Sequence, residues 1–170
     1  MVAKRLRQPA ATDTNNEWRQ ANTGRLLINA ARRYEIRALK HVTSNGFPEV
    51  TATHMAVPRN LDLEGTRITE LAKRCAMTKQ SMSELVRQCE NMGFVKLSPD
   101  PRDGRAKTVV FTARGRKLLV VIRAAIDIQE RGLERLLGKA ALHQVRAALT
   151  TFNFAADTTK SQETMRSLAG

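Results

Sequence analysis

The stretch "RITELAKRCAMTKQSMSELVRQCENMGFV", Arg67 to Val95, leaves a chain few ways to fold. Ile68, Leu71, Ala72 and Cys75 share one face of a short helix, and Met82, Leu85, Val86 and Cys89 share one face of a second that begins near Thr78. Only Ala76 and Met77 lie between them, so the two helices must turn sharply and bury their apolar faces against each other. Ala72 is small enough for the crossing point. Ala76 takes the turn where a glycine is common, which is tolerable as long as its φ is negative.

The outward positions of the second helix are Thr78, Lys79, Gln80, Ser81, Ser83 and Arg87. Gln and Arg can pair with base edges, Ser and Thr can reach bases or phosphates, and Lys79 suits a phosphate. A polar helix face taken alone is more often a solvated face. Here it is followed by Gly93 and then by two β-prone runs, "FVKLS" and "TVVFT", joined by the eight-residue connection "DPRDGRAK". That connection carries Arg102, Arg105 and Lys107. Edge hairpins also use charge to avoid aggregation, so the cations need the rest of the chain to give them meaning.

The distribution of charge supplies it. The chain has 29 Lys+Arg against 16 Asp+Glu, a formal net charge of +13. Residues 100–123 hold seven cations (Arg102, Arg105, Lys107, Arg114, Arg116, Lys117, Arg123) and two anions, Asp100 and Asp103. Residues 21–45 are also basic, whereas 124–170 nearly cancel. An excess concentrated on a hairpin and its neighbours favours a polyanionic partner, nucleic acid before a membrane surface. No apolar run approaches the roughly 18 to 20 residues of a membrane span, the longest being "LLVVI", and the basic start has no apolar segment behind it. A cytoplasmic protein is expected, without membrane association.

Helices flank this unit. Residues 1–16 read as a flexible basic arm, and a helix follows over 17–45, with Leu27, Ala31, Tyr34, Ala38 and Val42 as its stripe and Asn15 or Asn16 as its cap. "TATHMAV" reads as a short helix capped by Thr51 and stopped by Pro58. Thr112 can cap a long helix from Ala113, and a last one follows Gly138 with Leu142, Val145, Leu149 and Phe152 at spacings of 3, 4 and 3. With Leu27, that seam is more apolar face than one small domain covers, which points to a dimer interface over an internal core stripe. The dimerisation helices then span 113–156, and 157–170 read as a flexible tail. The fold class is mainly α with a small β-hairpin wing.

The order helix, turn, polar helix, glycine and cationic hairpin is that of a winged helix-turn-helix, and the chain resembles the MarR family of bacterial transcriptional regulators. The resemblance rests on "ITELAKRCAMTKQSMSELVRQCENMGFVKLSPDPRDGRAKTVVFTARGRKLL", in which "DPRDGR" and "FTARG" match the family's D-P-x-D-x-R and L-T-x-x-G patterns, and it extends over about residues 20–155. It implies a DNA-binding domain over 46–112, with a recognition helix near 78–92 and a wing near 95–111, and a helical dimerisation domain around it. It implies a homodimeric regulator, in most cases a repressor, that places Thr78, Gln80, Ser81, Ser83 and Arg87 in or beside the major groove of double-stranded DNA. Arg105 takes the wing position, braced by Asp103 or Asp100. Gly104 stands where many members carry a basic residue, which passes part of the contact to Arg102 or Lys107.

The resemblance also implies release from DNA by a small effector such as an aromatic acid or its coenzyme A thioester. Its candidate lining is Trp18, Arg33, Tyr34, His54, Met55 and Arg116, with Trp18 and Tyr34 as dimer-core filler the equal alternative. Two readings from other classes stay open: a basic architectural protein that coats DNA without sequence preference, and a winged helix used for protein or RNA contacts. His41, His54 and His143 sit on separate elements with no companion at helical spacing, so neither a metal nor another cofactor is expected. Cys75 and Cys89 form no metal pattern; packing is favoured for them over a redox switch. No phosphate-binding loop or nucleophile motif is present, and an enzyme is not expected.

Overall fold

The computed structural model describes residues 18–19, 22–100 and 103–168, with the side chains of Arg105 and of residues 154–168 outside that description. The arm over 1–16 and the contact assigned to Arg102 therefore lie outside the described residues. The elements run α1 (Thr23–Ser44), α2 (Ala56–Asn60), β1 (Thr66–Arg67), α3 (Ile68–Arg74), α4 (Lys79–Asn91), β2 (Val95–Asp100), β3 (Asp103–Phe111), α5 (Ala113–Leu137) and α6 (Lys139–Leu168).

Local chemistry sets most of these limits. α1 is capped by Asn22, whose side chain accepts the Arg25 N–H at 2.9 Å, so the helix expected to run from 17 begins afresh at Thr23, with Trp18 and Arg19 helical ahead of it; the caps expected at Asn15 or Asn16 lie outside the described residues. Of its stripe only Ala38 and Val42 are buried, while Leu27 is exposed and Tyr34 half-buried. The helix expected over Thr51–Val57 is corrected to Ala56–Asn60. Pro58 lies inside its first turn, where a missing N–H costs nothing, so it does not stop the helix. α5 is capped as expected, Thr112 accepting from Gly115 N–H, and Thr78, near which α4 was expected to begin, proves to be its cap, accepting from Ser81 N–H. α6 continues past Ala156, the expected end, to Leu168; no glycine or proline interrupts it.

The strands form one antiparallel sheet in the order β1-β3-β2. β1, two residues long, was not anticipated: Thr66 pairs with Val109 and Arg67 with Thr108. The hairpin is also tighter than an eight-residue connection. Asp100 pairs with Asp103 and Pro99 with Lys107, so residues 104–106 leave the ladder as an irregularity within β3 instead of belonging to an open loop.

One core joins these parts. Val42 from α1, Phe47, Met55, Leu71, Met82, Val86, Phe94, Val109 and Leu118 from α5 are all buried in a single cluster. Phe47 meets Phe94 edge-on at 5.8 Å between ring centroids. The start of α5 presses hard against the hairpin: a Cβ on Gly115 would stand 1.9 Å from the Phe94 carbonyl oxygen. No helix among the described residues is long and apolar enough to cross a membrane.

Candidate nucleic-acid interface

The turn between α3 and α4 is closed by backbone hydrogen bonds. Ala76 N–H donates to Lys73 O at 3.1 Å and Met77 N–H to Ala72 O at 2.9 Å, the paired bonds of a Schellman cap. That cap requires a left-handed residue, and Ala76 has φ 51°, correcting the expectation of a negative value. The same bonds close α4, from Gly93 N–H to Glu90 O and Phe94 N–H to Cys89 O, with Gly93 at φ 72°. Ala72 at 4%, Met82 at 0% and Leu85 at 3% exposure plug the crossing between the helices.

This packing turns Thr78, Lys79, Gln80, Ser81 and Arg87 outward, with Ser83 half-buried. Thr78 Oγ1 donates to Ser81 Oγ at 2.8 Å and Ser83 Oγ to Lys79 O at 2.8 Å. Arg87 is held by Glu84: Nε donates to Oε2 at 3.0 Å and Nη2 to Oε1 at 2.7 Å. The Arg87 guanidinium, and then Gln88, hold the Glu84 carboxyl below the usual carboxylate range, so it stays charged at neutral pH.

Beside α4 stands the wing. Lys107 is exposed on β3 and Arg105 lies on the same strand. Asp100, only 7% exposed, accepts from Arg67 Nε at 2.6 Å, and Arg67 Nη2 lies 3.6 Å from Asp103 Oδ2. Both aspartates thus meet a cation from β1 that sequence reasoning missed, because Arg67 and Asp100 are 33 residues apart. Glu84 was missed too, although its spacing of three to Arg87 and four to Gln88 could have revealed it.

Of the six residues named for an effector, only Arg33 and Tyr34 line a common groove. A groove of about 910 Å³ runs between α1 and α5, lined in part by Arg33, Tyr34, Arg37, Ile128 and Leu136. Burial, ahead of the Glu130 charge, pushes the Tyr34 phenol up. Trp18, His54, Met55 and Arg116 do not line it. Met55 is in the core at 1% exposure, and His54 bonds to Thr51 and Gln88. Of the seam on α6, Leu142 is buried within the chain, whereas Val145, Leu149 and Phe152 are exposed, as is Leu27 on α1. Both cysteines are desolvated, which raises the Cys75 thiol and pushes Cys89 up to about 11. Neutral thiols are poor nucleophiles, which argues against a redox switch.

A paired-helix unit with an outward polar helix and an adjoining cationic hairpin defines a winged helix-turn-helix protein, built for duplex DNA. Residues 50–106 match the sequence profile of the MarR family. The transcriptional regulator HosA of Escherichia coli O111:H- is 34% identical over 93 residues, which cover 54% of this chain and 67% of that protein. The chain belongs to the MarR family of transcriptional regulators. Among solved structures, CouR from Rhodococcus jostii RHA1 bound to p-coumaroyl-CoA is similar with a TM-score of 0.65 at 21% identity, over 79% of this chain and 94% of that one. The repressor CouR bound to a 23-mer DNA duplex is similar with a TM-score of 0.62 at 19% identity, over 84% and 99%. These likenesses extend the shared fold from the winged helix into the long helices.

Proposed function

We propose that the protein is a homodimeric repressor of a palindromic operator, released by a small amphipathic anion. The observation that carries this reading is the juxtaposition of an outward polar α4 with a wing whose Asp100 and Asp103 are tied to Arg67. α4 enters the major groove through Thr78, Lys79, Gln80, Ser81, Ser83 and Arg87, and the wing lays Arg105, Lys107 and Arg102 along the neighbouring backbone or minor groove. Exposed Leu27, Val145, Leu149 and Phe152 support pairing of two copies through α1 and α6. Two recognition helices about 34 Å apart then meet successive turns of one face of the duplex.

The α1–α5 groove supports the effector part: Arg33, Arg37 and Lys40 offer charge to an anion, and Leu26, Ile128 and Leu136 offer an apolar wall. The matched CouR structures hold a coenzyme A thioester and a duplex, respectively, in the same fold.

Footprinting on the DNA upstream of the protein's own gene tests the reading. The expected result is a protected palindrome bound by two copies, with affinity falling about 0.9 in log-log slope per phosphate neutralised. Arg105→Ala should bind that site at least tenfold more weakly with an unchanged melting temperature. Wild-type affinity in that variant at physiological salt would remove the wing from the interface, and equal affinity for unrelated duplexes would replace the repressor with a non-specific DNA-coating protein. Aromatic acids and their coenzyme A thioesters should raise the melting temperature and release the duplex.

A further inference from the structure

A line of hydrogen bonds runs from the segment after α1 into the recognition helix. Thr51 N–H donates to His54 Nδ1 at 3.1 Å, so Nδ1 is the acceptor and the proton of the neutral ring sits on Nε2. That proton points to Gln88 Oε1, 3.2 Å away. Gln88 therefore has one amide orientation, with Nε2 donating to Glu84 Oε1 at 3.0 Å. A flipped amide would set two donors against each other at His54 and an oxygen against the Glu84 carboxylate. Glu84 in turn engages Nε and Nη2 of Arg87, whose side chain is otherwise 63% exposed.

The guanidinium has five N–H donors. Glu84 occupies its Nε edge, taking Nε at 3.0 Å and two bonds from Nη2 at 2.7 and 2.8 Å, which leaves the two Nη1 protons at the outer end. N–H donors at that end suit the O6 and N7 acceptors of guanine in the major groove. A phosphate is a poorer partner for the same group. Its negative charge would have to approach beside the Glu84 carboxylate, whereas the guanine edge is neutral. Pinning a long side chain before DNA arrives also lowers the rotamer entropy lost on contact, which favours a contact that depends on angle.

We propose that Arg87 reads a guanine in each half-site, and that Glu84, Gln88 and His54 are positioning residues that hold its guanidinium end-on to that base. This rests on the reading of α4 as the helix in the major groove. His54, 34 residues from Gln88 in sequence, makes the segment after α1 part of the base-reading apparatus.

Selection from a duplex library with a randomised core, using the full-length protein, tests it. Wild-type protein should enrich a palindrome with a G·C pair at one symmetric position. Arg87→Ala and Arg87→Lys should lose preference at that position by roughly ten- to a hundredfold and keep it elsewhere. Glu84→Gln and His54→Ala should weaken the same preference several-fold, with non-specific binding equal or tighter for Glu84→Gln because a negative charge is removed. Circular dichroism and melting curves establish that each variant is folded. The salt slope on the selected duplex separates base from phosphate: Arg87→Ala should leave it unchanged, and a fall of about one with the motif intact would assign Arg87 to a phosphate and overturn the proposal. Unaltered guanine preference in Glu84→Gln overturns it as well. If Gln80→Ala changes the motif while Arg87 variants do not, the major-groove reading stands and this inference fails; if wild-type protein selects no motif, both fail.

Discussion

Arg67 Nε donates to Asp100 Oδ2 at 2.6 Å, tying the two-residue strand β1 to the last residue of β2. The carboxylate is almost fully buried and the guanidinium about half exposed, so the pair is anchored from the aspartate side. Arg67→Ala removes one charge-assisted bond from the base of the wing. Amides of β3 near Thr108 and Val109 should exchange roughly tenfold faster with deuterium, as expected for one such bond lost from a locally opening unit. Unchanged exchange there would mean the hairpin holds its shape without β1.

Ala76 pays for its φ of 51° because the Schellman cap of α3 demands a left-handed residue. An alanine there costs about 1–2 kcal/mol, of which glycine returns part as backbone entropy in the unfolded chain. Ala76→Gly should stabilise the protein by about 0.5–1 kcal/mol and raise Tm by roughly 1–4 °C. A lower Tm would show that the turn carries no strain.

Cys89 is fixed neutral by burial, its thiol pushed up to about 11 from an ordinary value of 9.0. The unfolded chain therefore ionises first as pH rises, so the stability this group contributes is intact below pH 9.0 and is lost between 9.0 and about 11. In urea titrations Cys89→Ala should show a shallower decline across that window than the wild-type chain. Peroxide at neutral pH should leave duplex binding unchanged, and loss of binding reversed by a thiol reductant would restore the redox switch.

Leu142 and Phe152 occupy the same helix but differ in what covers them. Leu142 is buried by its own chain, so Leu142→Ala should cost about 2–5 kcal/mol in unfolding. Phe152 is exposed, and Leu149→Arg combined with Phe152→Arg should leave the fold intact while reducing the light-scattering mass from two copies to one and weakening duplex binding. A double variant that stays dimeric would move the interface off α6.

What could be read in the sequence was mostly local. Thr78 and Thr112 are recognisable caps because the N–H they satisfy is three residues away, and Gly138 stands at a helix boundary for equally local reasons. The polar face of α4 follows from helical spacing once its apolar plugs are assigned. Arg67 with Asp100 and His54 with Gln88 were hidden by separations of 33 and 34 residues, which no periodicity reports. Ala76 misled for another reason: alanine prefers negative φ, and the two backbone bonds that close the cap overrode that preference. Met55 was assigned to an effector site through the family resemblance, but its side chain fills the core.

Arg114 donates from Nη1 to Met92 O at 2.7 Å and from Nη2 to Glu49 at 2.5 Å, with its guanidinium 5.1 Å from the centre of the Phe94 ring. Next to it, Gly115 brings α5 so close to Phe94 that a single methyl group would force the two apart; Gly115→Ala should cost at least about 1–3 kcal/mol. The long helix therefore has its fulcrum at the end of the recognition helix. With 25 residues, α5 is a lever arm of about 37 Å, and a tilt of about 5° at Gly115 swings its far end by about 3 Å. Run in reverse, any force that parts the far ends of α1 and α5 is delivered at Gly115, beside the point where α4 ends.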